Sequence, residues 1–164
     1  MKCDKKTFAE ILDKHKGMMR KVSMLYTNNR EDQEDLFQEI CFQICKSYNT
    51  FRDEAQFSTW LYRVALNTAI SQVRKNKQKT PSETFYENIH YASVRKEDGD
   101  GQVQQLFKAI SMLNKIDKAL ILLWLEEKNY EEIADILGIS KSNVSVKLVR
   151  IKRNLSETIN GLKQ

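Results

Sequence analysis

Apolar residues recur every three or four positions along most of this chain, the period of helices that turn one face inward. Phe8, Ile11, Leu12, His15, Met18, Met19, Val22 and Leu25 predict a first helix opening at Thr7, which Tyr26–Asn29 interrupt. A second follows, with Leu36, Phe37, Ile40, Cys41, Ile44 and Tyr48 inward and Asp35, Gln38, Glu39 and Phe42 pointing elsewhere. Asn49 to Ser58 is a polar connection carrying Phe51 and Phe57, and Ser58 or Thr59 caps a third helix. Its apolar set is Trp60, Leu61, Val64, Ala65, Ile70 and Val73, with Arg63, Asn67 and Arg74 along another side.

The rhythm fades from Thr80. Pro81 and the turn-prone Asp98–Gly101 mark a linker over 80–104, in which Phe85, Tyr86, Ile89, His90 and Tyr91 leave room for a short helix or an adhesive segment. Periodicity returns with Leu106, Phe107, Ile110 and Leu113. Asp117 is expected to cap a central core helix whose apolar run, Ala119 to Leu125, is too short to span a bilayer. Next come Tyr130, Ile133, Ala134 and Leu137 on one face, Gly138 to close that helix in the left-handed conformation, and Ile139 as the apolar plug of a tight turn. Ser140 or Ser142 caps the last helix, where Val144, Leu148, Ile151 and Leu155 form an apolar stripe and Gly161 marks the end.

The expected fold is therefore all-α: two small helical domains, 1–79 and 105–164, joined by a flexible linker, the second a helix-turn-helix domain. One proline and five glycines in 164 residues disfavour a sandwich or barrel.

Charge sharpens this picture. The net charge of +5 favours an anionic partner. Between Gly138 and Leu155 stand Lys141, Lys147, Arg150, Lys152 and Arg153 with no acidic residue, whereas the preceding helix holds Glu131, Glu132 and Asp135. A solvated face normally mixes signs; a one-sided basic helix after a capped turn suits a phosphate backbone. Ser140, Lys141, Ser142, Asn143, Ser145, Lys147 and Arg150 are the candidate DNA contacts there. A second basic helix carries Arg63, Arg74, Lys75, Lys77 and Lys79 and follows the aromatic loop. Rings beside cations suit unpaired bases, so Phe51, Phe57, Trp60, Arg63, Arg74 and Lys75 are candidates, Trp60 being equally at home as core.

The second helix has the opposite character. Glu31, Asp32, Glu34, Asp35 and Glu39 crowd its start, more than the helix dipole requires. With Phe42 exposed beside them, Asp35, Gln38 and Glu39 suggest a protein-binding face, a merely solvated acidic face being the alternative.

Catalytic chemistry is not visible. A phosphate-binding glycine loop, a nucleophile with its base and a metal-ligand cluster are all missing from the sequence, so neither an enzyme nor a cofactor is expected. Cys41 and Cys45, one helical turn apart, read as small core residues rather than as a metal or redox pair, and Cys3 stands alone. The first residues lack the apolar core of a signal peptide, so a cytoplasmic protein without membrane insertion is expected.

These motifs resemble a known family. NREDQEDLFQEI, FSTWLYRVALNTA and the helix-turn-helix at Asn129–Leu155, in this order and at this separation, are similar to the small extracytoplasmic-function sigma factors of bacterial RNA polymerase. The resemblance covers nearly the whole chain and implies core RNA polymerase and promoter DNA as partners, with an anti-sigma factor as inhibitor. It implies that Asp35, Gln38, Glu39 and Phe42 engage the polymerase clamp. Phe51, Phe57, Trp60, Arg63 and Asn67 would shape the pocket for flipped-out bases, and Ser140, Ser142, Asn143, Lys147 and Arg150 would face the distal promoter element. On the residues alone, a free-standing helix-turn-helix regulator and a protein-binding adaptor without DNA function stay open.

Overall fold

Seven helices account for all the regular structure among the described residues, which are 4–79 and 101–162 of a computed structural model. They are α1 (Lys5–Tyr26), α2 (Arg30–Tyr48), α3 (Phe57–Lys79), α4 (Gly101–Ser111), α5 (Lys115–Leu125), α6 (Tyr130–Leu137) and α7 (Lys141–Leu162). The chain divides into two units, Met1–Ser93 and Val94–Gln164. The expected linker, with Phe85, Tyr86, Ile89, His90 and Tyr91, lies outside the described residues except for 101–104, which are the first turn of α4.

In the first unit α1, α2 and α3 pack pairwise on one another. The helix starts follow from their caps. Asp4 caps α1, its carboxylate accepting from the Thr7 amide at 2.7 Å, so the helix opens at Lys5 and not at Thr7; Asn29 caps α2 through the Asp32 amide at 2.8 Å. The core is Ile11, Met18, Met19, Val22 and Tyr26 from α1, Leu36, Ile40 and Ile44 from α2, and Leu61, Tyr62, Ala65, Leu66 and Ala69 from α3.

Two expected faces change. On α2, Phe37, Cys41 and Tyr48 are only half-buried; the Arg20 guanidinium lies 4.1 Å from the Phe37 ring centre and covers it from outside. On α3, only Leu61 and Ala65 of the expected set are fully inside. Trp60, Val64, Ile70 and Val73 sit at the margins, and Tyr62, Leu66 and Ala69 take their place. The reason is that α3 is flanked by both α1 and α2, so its buried arc is wide, and alanines at 65 and 69, one turn apart, fit a close seam that bulkier side chains would force open.

In the second unit Asn114 caps α5, accepting from the amides of Ile116 at 3.1 Å and Asp117 at 2.9 Å. Asp117 is therefore inside the helix rather than its cap, and it is buried. The α5 run holds the centre as expected through Leu123, whereas Trp124 and Leu125 emerge to solvent. The α6 start is a capping box: Asn129 accepts from the Glu132 amide and Glu132 from the Asn129 amide, each at 2.9 Å. Its buried residues are Ile133 and Ile136; Tyr130, Ala134 and Leu137 are half-buried. Gly138 ends the helix at φ 68°, where any side chain is strained, with its amide bonded to the Ala134 carbonyl at 2.8 Å. Val144, Leu148, Ile151 and Leu155 form the buried stripe of α7, which continues through Gly161 to Leu162. No helix among the described residues is long and apolar enough to cross a membrane.

Candidate nucleic-acid and partner-binding surfaces

Three surfaces gather the candidate residues. The first is the outer face of α2, where Asp35, Gln38, Glu39 and Phe42 follow one another at three- and four-residue spacing and therefore share a stripe. All four are exposed, Phe42 at 59%. Together with α3 they border a groove of about 850 Å³. Its other wall carries Asn67, Thr68, Ser71, Gln72, Lys75 and Asn76. Asn67 and Lys75, expected on the nucleic-acid surface, thus share a groove with the acidic stripe: carboxylates on one wall face an ammonium and amides on the other. That juxtaposition could not be read from the sequence, because it depends on how α2 and α3 are set against each other.

The second surface is the loop between α2 and α3 with the start of α3. Phe51, Phe57 and Trp60 form one cluster, with centroids 5.2 Å apart for Phe51–Trp60, 5.4 Å for Phe57–Trp60 and 5.5 Å for Phe51–Phe57. Tyr48 meets Phe57 and Trp60 edge-on at 6.4 Å, and His15 from α1 lies 5.7 Å from Phe57. Every ring is half-buried. The rings therefore hold the loop to the bundle through tilted and edge contacts while keeping part of their faces open. Sequence reasoning left out Tyr48 and His15; only the three-dimensional return of the loop onto α1 brings them in. Burial, and secondarily Lys14, pushes the His15 imidazole below its ordinary value, so the ring tends to be neutral. Farther along α3, Arg63 is half-buried, and Asn67, Arg74 and Lys75 are exposed. The side chains of Lys77 and Lys79 lie outside the described residues.

The third surface is the exposed side of α7. Ser140 is occupied by capping: its hydroxyl accepts from the Asn143 amide at 3.1 Å and lies 3.2 Å from the Ser142 hydroxyl. Lys141 reaches back to Glu131 on α6 at 2.7 Å, and that hydrogen bond and charge hold the Glu131 carboxyl below its usual range. Both partners are exposed, so a phosphate can draw Lys141 away at little cost. Ser142 and Asn143 are exposed; Ser145 and Lys147 are half-buried. The Arg150 guanidinium lies 3.4 Å from Asp117, which also accepts from Asn114 at 2.8 Å and whose second oxygen is buried without a partner among the described residues. Arg150 is thus held at one end while half its side chain stays in solvent. Sequence reasoning missed Val146 and Val149, which are 69% and 67% exposed on the side of α7 opposite its buried stripe. Their absence from the spacing of Val144, Leu148, Ile151 and Leu155 was the available signal.

Among the described residues no three His, Cys, Asp or Glu side chains are placed to hold a metal ion. Cys41 is half-buried with its sulfur 4.0 Å from that of Met19, and burial pushes its thiol up, away from the reactive thiolate. Cys45 is half-buried too, and Cys3 lies outside the described residues.

Comparison with known proteins follows the same division. Residues 11–79 match the family described as Sigma-70 region 2, and residues 104–155 match Sigma-70, region 4. The ECF RNA polymerase sigma factor SigW of Bacillus subtilis (strain 168) is 27% identical over 98% of this chain and 93% of its own length. RNA polymerase sigma factor SigV of the same organism is 30% identical over 83% of this chain and 81% of its own. Among solved structures, the sigma factor RpoE in complex with the anti-sigma factor NepR from Bartonella quintana has the same fold, with a TM-score of 0.74 at 22% identity over 94% of this chain and 98% of that one. CnrH in complex with the cytosolic domain of CnrY gives a TM-score of 0.70 at 16% identity, covering 96% and 90%.

Proposed function

This chain belongs to the extracytoplasmic-function sigma factors of bacterial RNA polymerase, and on that premise we propose how its surfaces divide the work. The domains are 1–79 for polymerase docking and promoter melting, 80–104 as connection, and 105–164 for the distal promoter element. The α2 stripe of Asp35, Gln38, Glu39 and Phe42 docks on the clamp of core RNA polymerase. The exposed Phe42 one turn beyond Glu39 supports this, because an apolar ring in water gains free energy when a partner covers it, and the carboxylates of Asp35 and Glu39 select a basic partner surface.

The aromatic cluster and the outward residues of α3 capture the separated strand. Extracting a base from the stack costs a few kcal/mol, and a ring that stacks on it returns about 1 to 3 kcal/mol. Phe51, Phe57 and Trp60 supply such rings beside Arg63, Asn67, Arg74 and Lys75. Strand opening of this kind consumes no nucleotide, and the protein works as a binding subunit in the cytoplasm beside the polymerase. Two proteins of the same fold, RpoE and CnrH, are described in complexes with NepR and with the cytosolic domain of CnrY. An anti-sigma partner that covers these same surfaces is proposed for this chain as well.

The observation that carries the reading is the single stripe of four exposed docking residues on α2. Asp35→Arg, at an exposed position, is expected to leave the helical spectrum and melting of the chain unchanged and to abolish co-purification with core polymerase. Undiminished co-purification of the charge-reversed chain would remove the docking assignment.

A further inference from the structure

Val146 and Val149 are the two most exposed large apolar side chains among the described residues. Valine is a mediocre helix former, since its branched side chain loses rotamer freedom against the preceding turn. In the free chain neither residue gains anything from burial. Both stand on the face of α7 that the fold does not use: the buried stripe is Val144, Leu148, Ile151 and Leu155, and the valines point away from it. Helical spacing frames them with Ser142 and Asn143 one turn before Val146, and with Arg150 and Arg153 one turn after Val146 and Val149 respectively.

This mixture of two methyl-bearing side chains inside a frame of hydrogen-bond donors does not suit an apolar protein partner, which requires a wider patch depleted of charge. It does suit the major groove at a thymine, which presents a C5-methyl group next to the O4 acceptor. The absence of any acidic residue from Gly138 to Leu155 favours the same occupant. Residues three apart on a helix have Cβ atoms about 5 to 6 Å apart, and successive bases of one strand rise about 3.4 Å, so the two valines reach bases one or two steps apart. Both fall within the first nine residues of α7, the part of a recognition helix that meets base edges.

We propose that Val146 and Val149 read thymine methyl groups at two neighbouring positions of the distal promoter element, adding an apolar component to a specificity otherwise carried by Asn143, Arg150 and their neighbours. The inference rests on the promoter-recognition role of the second unit and names what that surface selects.

The test uses the full chain assembled with core polymerase. Promoter duplexes are selected from a randomised pool by the wild-type holoenzyme, and each thymine of the enriched distal element is then replaced by deoxyuridine, which deletes only the methyl group. At one or two positions the replacement is expected to weaken wild-type binding about fourfold, the worth of one buried methyl-sized group. In holoenzyme carrying Val146→Ser and Val149→Ser the same replacement is expected to change nothing. Both residues are solvent-exposed, so folding is preserved, and an unchanged helical spectrum checks it. The proposal is overturned by an enriched element without thymines, by deoxyuridine that is neutral throughout, or by a loss equally large in the serine variant. A pool in which the wild-type holoenzyme enriches no sequence would instead remove promoter recognition itself, and this inference with it.

Discussion

Helices α3 and α7 are both basic and both proposed to meet promoter DNA, yet they relate to their folds in opposite ways. In α7 the stripe Val144, Leu148, Ile151 and Leu155 meets the core along one side, and the proposed recognition face is the other. In α3 the buried arc runs through Leu61, Tyr62, Ala65, Leu66 and Ala69 because two helices flank it. Of its candidate residues, Asn67 and Lys75 border the groove shared with α2, and Phe57 and Trp60 stack in the aromatic cluster that pins the loop. On the proposed roles, the second unit keeps its large buried side chains apart from its recognition face, whereas the first asks the same rings to serve both.

Leu148→Ala should break this comparison most strongly. Truncating a fully buried leucine is expected to lower the stability of the second unit by about 2 to 5 kcal/mol in a denaturant titration. Val149→Ser, on the opposite side, should stay within about 0.5 kcal/mol of wild type. A comparable loss in the two variants would mean that α7 is buried all round.

Trp60→Ala should have an intermediate and mixed effect. The ring is half-buried, so the stability of the first unit is expected to fall by about 1 to 3 kcal/mol, less than for a fully enclosed tryptophan. Holoenzyme affinity for a single strand is expected to fall by about 1 to 3 kcal/mol as well. Trp60→Phe should recover much of both. Lost stability with unchanged strand capture would assign the cluster to the fold alone.

The two helices also differ in how far they were legible beforehand. The stripe of α7 and the stop at Gly138 stood out because a helix buried on one side repeats its large apolar residues at a fixed interval, and because a left-handed turn selects glycine. The buried face of α3 was misread, since much of its seam is alanine and a small side chain carries little signal of burial. The start of α1, expected at Thr7, was placed two residues late and the cap of α5, expected at Asp117, three residues late, for one reason. A helix start offers polar residues both at the cap and three positions on, and only the structure tells Asp4 and Asn114 apart from their partners. On the site, the donors of α7 were legible as candidates and its valines were not, because an exposed apolar residue on a recognition face has no polar chemistry to draw attention. The groove joining Asp35 and Glu39 to Asn67 and Lys75 depends on packing between helices and has no local signature.

The smallest effect expected is a dependence on pH confined to the first unit. His15 is held below its ordinary value of 6.5 by burial and by Lys14, so the unfolded chain takes up the proton first as the pH falls. Stability is therefore complete above the ordinary value, declines as the pH drops through it, and stops declining below the lowered folded value. His15→Gln should flatten the slope between pH 7 and pH 5.5, and the second unit, which has no histidine, should show none. A slope that survives the substitution would trace to other groups.

Run-off transcription by core polymerase from a randomised promoter pool, with and without the full chain, tests the division of labour most directly. The expected result is initiation only when the chain is present, from templates that share one sequence block at the melted region and a second upstream, with the upstream block lost when the exposed face of α7 is altered and all initiation lost with Asp35→Arg. Initiation that ignores the chain, or that persists unchanged with Asp35→Arg, would contradict it.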